Sequence, residues 1–75
     1  MKLKELKTEE NGVVTGFSTA DSAYRQKLLR MGLTRNTEFT VVRKAPLGGP
    51  IEIEVRGSRV VLRSDEADVL EVDKK

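Results

Sequence analysis

Carboxylates are the main candidates for chemistry in this sequence, because it contains neither histidine nor cysteine. Glu52 and Glu54 stand two residues apart, the spacing of neighbours on one face of a strand, where two carboxylates could form an acid–base pair. The strict alternation of residues 51–56 instead places both on the solvated face, where charged side chains usually lie. The sequence predicts no catalytic residue, and we expect a protein that is not an enzyme.

A second acidic group, formed by Asp65, Glu66 and Asp68, could offer oxygen ligands to a hard cation. Sites for ferrous iron usually include imidazole, which this chain lacks. Acidic residues directly after Ser64 also suit the first turn of a helix. We therefore predict a capped helical turn here, with no metal site and no cofactor.

The basic residues leave two interpretations open. Fourteen basic against twelve acidic residues give a net charge of only +2, with acidic residues interspersed among the arginines. Nucleic-acid-binding proteins usually carry a clustered basic face and exposed aromatic residues, so we expect no nucleic acid and keep that role as the alternative. If some basic residues share a face, they could steer docking to an acidic partner surface. The residues concerned are Arg25, Lys27, Arg30, Arg43, Lys44, Arg56, Arg59 and Arg63.

One helix is predicted over residues 23–31. Tyr24, Leu28 and Met31 recur at i, i+4 and i+7 and form a stripe that packs on the core, after a run of good N-capping residues. Gly32 suits a left-handed residue after the helix, with Leu33 folding back on the last turn.

The rest of the chain predicts short strands. They cover residues 12–17, 38–45, 51–56 and 59–63, with a closing strand around Leu70 and Val72. Residues 46–50 form a loop because two prolines bracket two glycines, and Gly57-Ser58 supplies a tight turn. The predicted fold is mainly β: a single domain over residues 1–75 with a small, partly open antiparallel barrel, one inserted α-helix and a short helical turn before the last strand.

Partner-binding residues are predicted on the helix and on the loop at 46–50. Tyr24 and Leu29 are the helix residues expected to be partly exposed. Leu47 lies on a loop tip, where it either docks onto a partner or closes the end of the barrel. The full set of candidates is Tyr24, Lys27, Leu29, Leu47, Gly48, Gly49 and Pro50.

Cytoplasmic residence is the predicted location. The sequence has no cysteine, and residues 1–5 have no apolar region of a secretory signal. No apolar run approaches the roughly 20 residues that cross a bilayer. Any membrane association is therefore expected only through a partner.

The order of these motifs resembles the FeoA family over nearly the whole chain. The resemblance rests on a Met-x-Leu-x-x-Leu opening at residues 1–6 and a Leu-Leu-x-Met-Gly-Leu-Thr helix end at 28–34. It also rests on the loop and strand at 45–51, similar to the family's Pro-Leu-Gly-Asp-Pro-Ile, and on residues 56–67. Arg35-Asn36 replaces a common Pro-Gly, and Gly49 replaces a common Asp.

The resemblance implies an SH3-like β-barrel without catalytic activity. It implies a role in bacterial ferrous iron uptake, in which the protein contacts the cytosolic G domain or the membrane portion of a FeoB transporter and supports or regulates it. We expect a monomer when the protein is isolated. The same fold occurs in iron-dependent repressors, so a stand-alone SH3-like regulatory domain is the other alternative.

Overall fold

The computed structural model describes residues 1–19 and 21–75 of the chain. A 3₁₀ turn at Leu3–Glu5 precedes two helices and five strands. These are β1 (Asn11–Phe17), α1 (Ser22–Arg30), β2 (Glu38–Lys44), β3 (Ile51–Val55), β4 (Ser58–Leu62), α2 (Ser64–Val69) and β5 (Leu70–Lys74). The strands form one antiparallel sheet in the order β4-β3-β2-β1-β5. The predicted mainly β architecture with one inserted helix is confirmed.

The core lies on one face of this sheet and follows the alternation of the strands. Ile51, Ile53 and Val55 of β3 are buried, while Glu54 between them is exposed. The segment before β1 adds Leu3 and Leu6, both fully buried. The other buried apolar residues are Val14, Leu28, Leu33, Phe39, Val41, Leu62, Ala67, Leu70 and Val72.

Helix α1 begins and ends as its sequence predicts, within one residue. The Asp21 side chain accepts a hydrogen bond from the Ala23 N–H at 2.9 Å and caps the first turn. Gly32 has a φ of +87°, and the Leu33 N–H donates to the Leu28 carbonyl at 3.1 Å. This is the Schellman ending, with Leu33 and Leu28 both buried in the core. Met31, predicted to be buried, is only partly buried.

The turn between β3 and β4 lies one residue earlier than predicted. Val55 pairs with Ser58, so the two turn residues are Arg56 and Gly57, with φ of 51° and 82°. Positive φ at both positions matches the twist of a two-residue hairpin, and Ser58 continues the ladder. The guanidinium of Arg56 thereby comes to the tip of this hairpin.

Candidate functional site

The first turn of α2 lies at the centre of the candidate site. The Glu66 side chain accepts a hydrogen bond from the Arg63 N–H at 2.9 Å, which closes a capping box at the start of the helix. Asp65 and Glu66 place negative charge in this turn, where the helix dipole favours it. The predicted capped helical turn is confirmed.

A hydrogen bond links this turn to α1. The Tyr24 hydroxyl donates to the Asp65 carboxylate at 2.7 Å. This bond to a carboxylate raises the pKa of Tyr24, and the hydroxyl donor lowers the pKa of Asp65. Tyr24 is partly buried, as expected, and its hydroxyl holds α1 beside α2.

An ion pair makes the second link between the two helices. The Lys27 ammonium contacts the Glu66 carboxylate, whose side chain is only 4% exposed, while 57% of the lysine side chain is exposed. Contact with Lys27 lowers the pKa of Glu66, against the opposing effect of burial. Lys27 therefore neutralises the buried carboxylate from the solvent side.

The loop at residues 46–50 presents Leu47 to solvent. The Ala45 N–H donates to the Pro50 carbonyl at 2.9 Å, which closes the base of the loop. Leu47 at the tip is 103% exposed, with a φ of 60°. The interpretation that Leu47 closes the end of the barrel is therefore wrong. A Cβ atom on Gly49 would stand 2.7 Å from that of Ala45, so an aspartate at this position would require the loop to shift.

Six of the seven sequence candidates lie on the two sides of the first turn of α2. One surface pocket is lined by Tyr24 and Lys27, and another by residues 48–50. Arg63 and Asp65 line both pockets and join them. We call this region the α2 surface and define it by Tyr24, Lys27, residues 47–50 and residues 63–66.

Leu29 is the candidate that the structure separates from the others. It follows Lys27 by two residues, which turns it by about 200° around the helix axis. The Leu29 side chain is 37% exposed, as predicted, but it lies on the opposite flank of α1. The α2 surface therefore does not include Leu29.

A cavity of about 420 Å³ adjoins the loop on the side of the N-terminal segment. Buried Ile51 and Ala67 give it an apolar wall, and Lys4, Lys44 and Asp68 supply charge. Sequence reasoning did not single out Lys4 or Ser64 for a contact. It named Lys44 and Arg63 only among the basic residues, and Asp65 and Glu66 only as an acidic group, without placing them beside the loop and α1. Only the packing of α2 between the loop and α1 brings these residues together. The spacing of residues within one helix or strand does not predict this packing.

The carboxylates considered for chemistry have structural partners. Arg59 contacts Glu52 at 2.8 Å and Glu54 at 3.7 Å on the outer face of β3 and β4. The bond to Glu52 raises the pKa of Arg59. Within residues 1–19 and 21–75, no group of three or more His, Cys, Asp or Glu side chains could hold a metal ion. In the same part of the chain, neither helix has the length and apolar character needed to cross a membrane.

The sequence matches the family model of the FeoA domain over residues 1–74. A relative from Porphyromonas gingivalis is an Fe(2+) transport protein A/Fe(2+) transporter FeoB fusion protein, 32% identical over 73 residues. The match covers 97% of this chain and 8% of the fusion protein, so this chain spans a small fraction of that relative. A relative from Campylobacter jejuni is 30% identical, with 97% of both chains covered.

Solved structures share the fold. The FeoA protein from Chlorobium tepidum is 39% identical, with a TM-score of 0.85 over 99% of this chain and 70% of that one. FeoA from Stenotrophomonas maltophilia, described as a prokaryotic SH3 domain protein complexed with zinc, is 32% identical. Its TM-score is 0.81 over 97% of this chain and 89% of that one. A manganese-dependent transcriptional repressor superposes with a TM-score of 0.91 at 21% identity, over 100% of this chain and 36% of that one, which shows a shared fold alone.

Proposed function

The chain belongs to the FeoA family, and from this membership we propose that it is a non-enzymatic accessory protein that binds a FeoB-type ferrous iron transporter and supports or regulates it. The observation that carries the proposal is the relative in which a transport protein A region and a FeoB transporter form one polypeptide. Fusion keeps the two parts at high local concentration, as expected for parts that act together. The proposed location is the cytoplasm, and the isolated protein is proposed to be a monomer.

The α2 surface is the proposed contact. Leu47 is a fully exposed apolar side chain on a loop whose base is closed by a backbone hydrogen bond. Tyr24 and Lys27 lie on the other side of the first turn of α2 and are held by Asp65 and Glu66. An exposed apolar anchor suits protein binding, and the bonds of Tyr24 and Lys27 reduce the side-chain freedom that these two residues lose on binding.

Residue-by-residue amide shifts test this proposal. Isotope-labelled protein is titrated with the cytosolic G domain of a FeoB-type transporter and, separately, with the full transporter. We expect saturable shifts at Tyr24, Lys27 and residues 47–50 with at least one of them. Leu47→Ser should weaken binding, whereas Lys7→Ser, at an exposed position outside the α2 surface, should not. Absence of shifts with both forms of the transporter would refute the proposal.

We propose that any change in GTP hydrolysis takes place in the G domain of the transporter, because this chain has no phosphate-binding loop of its own. Residues 48–49 lack the Gly-Lys-Ser/Thr continuation of a phosphate-binding loop, and they precede a strand rather than a helix. A GTPase assay of the transporter with and without this protein measures the effect. An unchanged rate of GTP hydrolysis at a saturating concentration of this protein would refute regulation of hydrolysis. Binding itself is tested separately by the titration.

A further inference from the structure

Lysines and arginines differ in their pairing with carboxylates. Most lysines form ion pairs, namely Lys2, Lys4, Lys27, Lys74 and Lys75. Of the seven arginines, only Arg59 pairs with a carboxylate within residues 1–19 and 21–75. The remaining arginines therefore carry positive charge that this part of the chain does not neutralise by direct contact.

Three of these arginines lie around the C-terminal end of α1. Arg30 is the last helical residue. Nη1 of Arg56 reaches across from the β3–β4 turn to within 3.8 Å of the place where a Cβ of Gly32 would stand. Arg35 follows the last helical residue by five positions, and its Nη2 lies 3.7 Å from the place where a Cβ of Gly16 in β1 would stand. The negative end of the helix dipole favours the cations of Arg30 and Arg56 here. Glu38 and Glu54 line a pocket with Arg56, but they pair with Lys75 and Arg59. We call Arg30, Arg35 and Arg56 the arginine cluster.

Leu29 adds an apolar side chain beside the cluster. It is 37% exposed and lies three residues before Gly32, the residue that Nη1 of Arg56 approaches. It shares its flank of α1 with Arg25, four residues earlier. Each guanidinium carries five N–H donors in a planar array that matches a carboxylate. The surface therefore combines several guanidinium groups that can bind carboxylates with one exposed apolar side chain.

We propose that the arginine cluster and Leu29 dock an acidic segment of a partner protein. Carboxylates of the segment pair with the guanidinium groups, and an apolar side chain of the segment covers Leu29. This inference rests on the proposed function, because the partner is the cytosolic portion of a FeoB-type transporter. Leu29 lies on the flank of α1 opposite Lys27, whereas Arg30 follows Lys27 by three residues and is its neighbour on the helix, so this second contact borders the α2 surface at Arg30.

A protein segment fits this surface better than a nucleic acid. Base stacking uses exposed aromatic rings, but Phe39 is buried and both Phe17 and Tyr24 are partly buried. Exposed Leu29 has no counterpart in a phosphate backbone, whereas it suits an apolar residue between carboxylates. The net charge of +2 is also small for non-specific binding to nucleic acid.

Charge reversal tests the inference in the binding assay with the transporter's cytosolic portion. Arg30→Glu/Arg56→Glu should raise the Kd at least about tenfold and reduce its salt dependence. The matched control, Lys7→Glu/Arg43→Glu, makes the same change in net charge at two exposed positions that do not line the pocket of Arg56, and it should change the Kd less than about threefold. Arg30→Gln/Arg56→Gln, which adds no repulsion, should give an intermediate loss.

The outcomes separate the inference from the proposed function. If the wild-type protein binds and the charge-reversed variant binds equally well, the inference is refuted and the proposed function stands. If the wild-type protein does not bind the transporter, the proposed function fails. The inference is then tested by titrating the labelled protein with a synthetic peptide of alternating leucine and glutamate and following the amide shifts. Shifts at Leu29, Arg30, Arg35 and Arg56 would support it. Shifts there only with single-stranded RNA or anionic phospholipid vesicles would overturn it.

Discussion

Replacing Lys27 by methionine isolates the contribution of its ion pair with Glu66. Methionine keeps the length and apolar stem of lysine but removes the ammonium, so the carboxylate remains buried without its counter-charge. Loss of one partner of a fully buried pair costs several kcal/mol, but more than half of the Lys27 side chain is exposed, and water screens the interaction. We therefore expect the free energy of unfolding at pH 7 to fall by about 1 kcal/mol.

A loss of this size is measurable in a domain of 75 residues. It lowers the melting temperature by about 4–8 °C. The control is Lys4→Met, because Lys4 and Asp68 lie 3.8 Å apart and both side chains are largely exposed. That substitution should change the melting temperature by less than about 2 °C.

The pH dependence identifies the cause of the loss. Because the pKa of Glu66 is lowered from its ordinary value of 4.5 in the folded protein, the pair stabilises the fold above that value. Its contribution is lost as the pH falls through the lower, folded value. The difference between wild type and Lys27→Met should therefore disappear in acid. Thermal unfolding followed by circular dichroism between pH 3 and pH 7 measures both curves. A difference that stays constant with pH would refute the role of the charge.

Three further substitutions have outcomes set by the structure. Gly12→Ala should lower the free energy of unfolding by about 1–3 kcal/mol in denaturant titrations, since the new Cβ would stand 2.6 Å from Cζ of Phe39. An unchanged midpoint would show that Phe39 can move. Gly32→Ala should cost about 1 kcal/mol because its φ of +87° is unfavourable for alanine, and equal stability of the two proteins would contradict the left-handed helix ending. Leu47→Ser should leave the melting temperature within about 2 °C of the wild-type value, because the side chain is fully exposed. A clear loss of stability would mean that Leu47 packs on the domain.

The fold was predictable where one periodicity dominates a segment. The alternation in β3 and the glycine after α1 are local signals, and the structure confirms both. The turn after β3 was misplaced by one residue because Gly57 marks a turn without showing which neighbour shares it. Arg56 takes that place with positive φ, a conformation that ordinary residues adopt only when the ladder on both sides requires it.

The candidate site was less predictable than the fold. Leu29 and Lys27 appear together in the sequence, yet the helix places them on opposite flanks. The pairing of Lys27 with Glu66 depends on how α2 packs against α1, and it joins residues 39 positions apart. Such juxtapositions depend on tertiary packing, which hydrophobic spacing along one element does not encode.

The order of the strands also determines the sequence in which the protein can assemble during synthesis. Strands β2, β3 and β4 are consecutive neighbours, so their pairing requires only short loops. Strand β5 pairs with β1, and Gly12 lies opposite Lys74 in that ladder. This pairing must close most of the chain into one loop, and it waits until the last strand has left the ribosome. Because α2 directly precedes β5, we expect the α2 surface to form in this last step. A chain truncated before β5 should then show hydrogen-exchange protection in β2–β4 but none in α2.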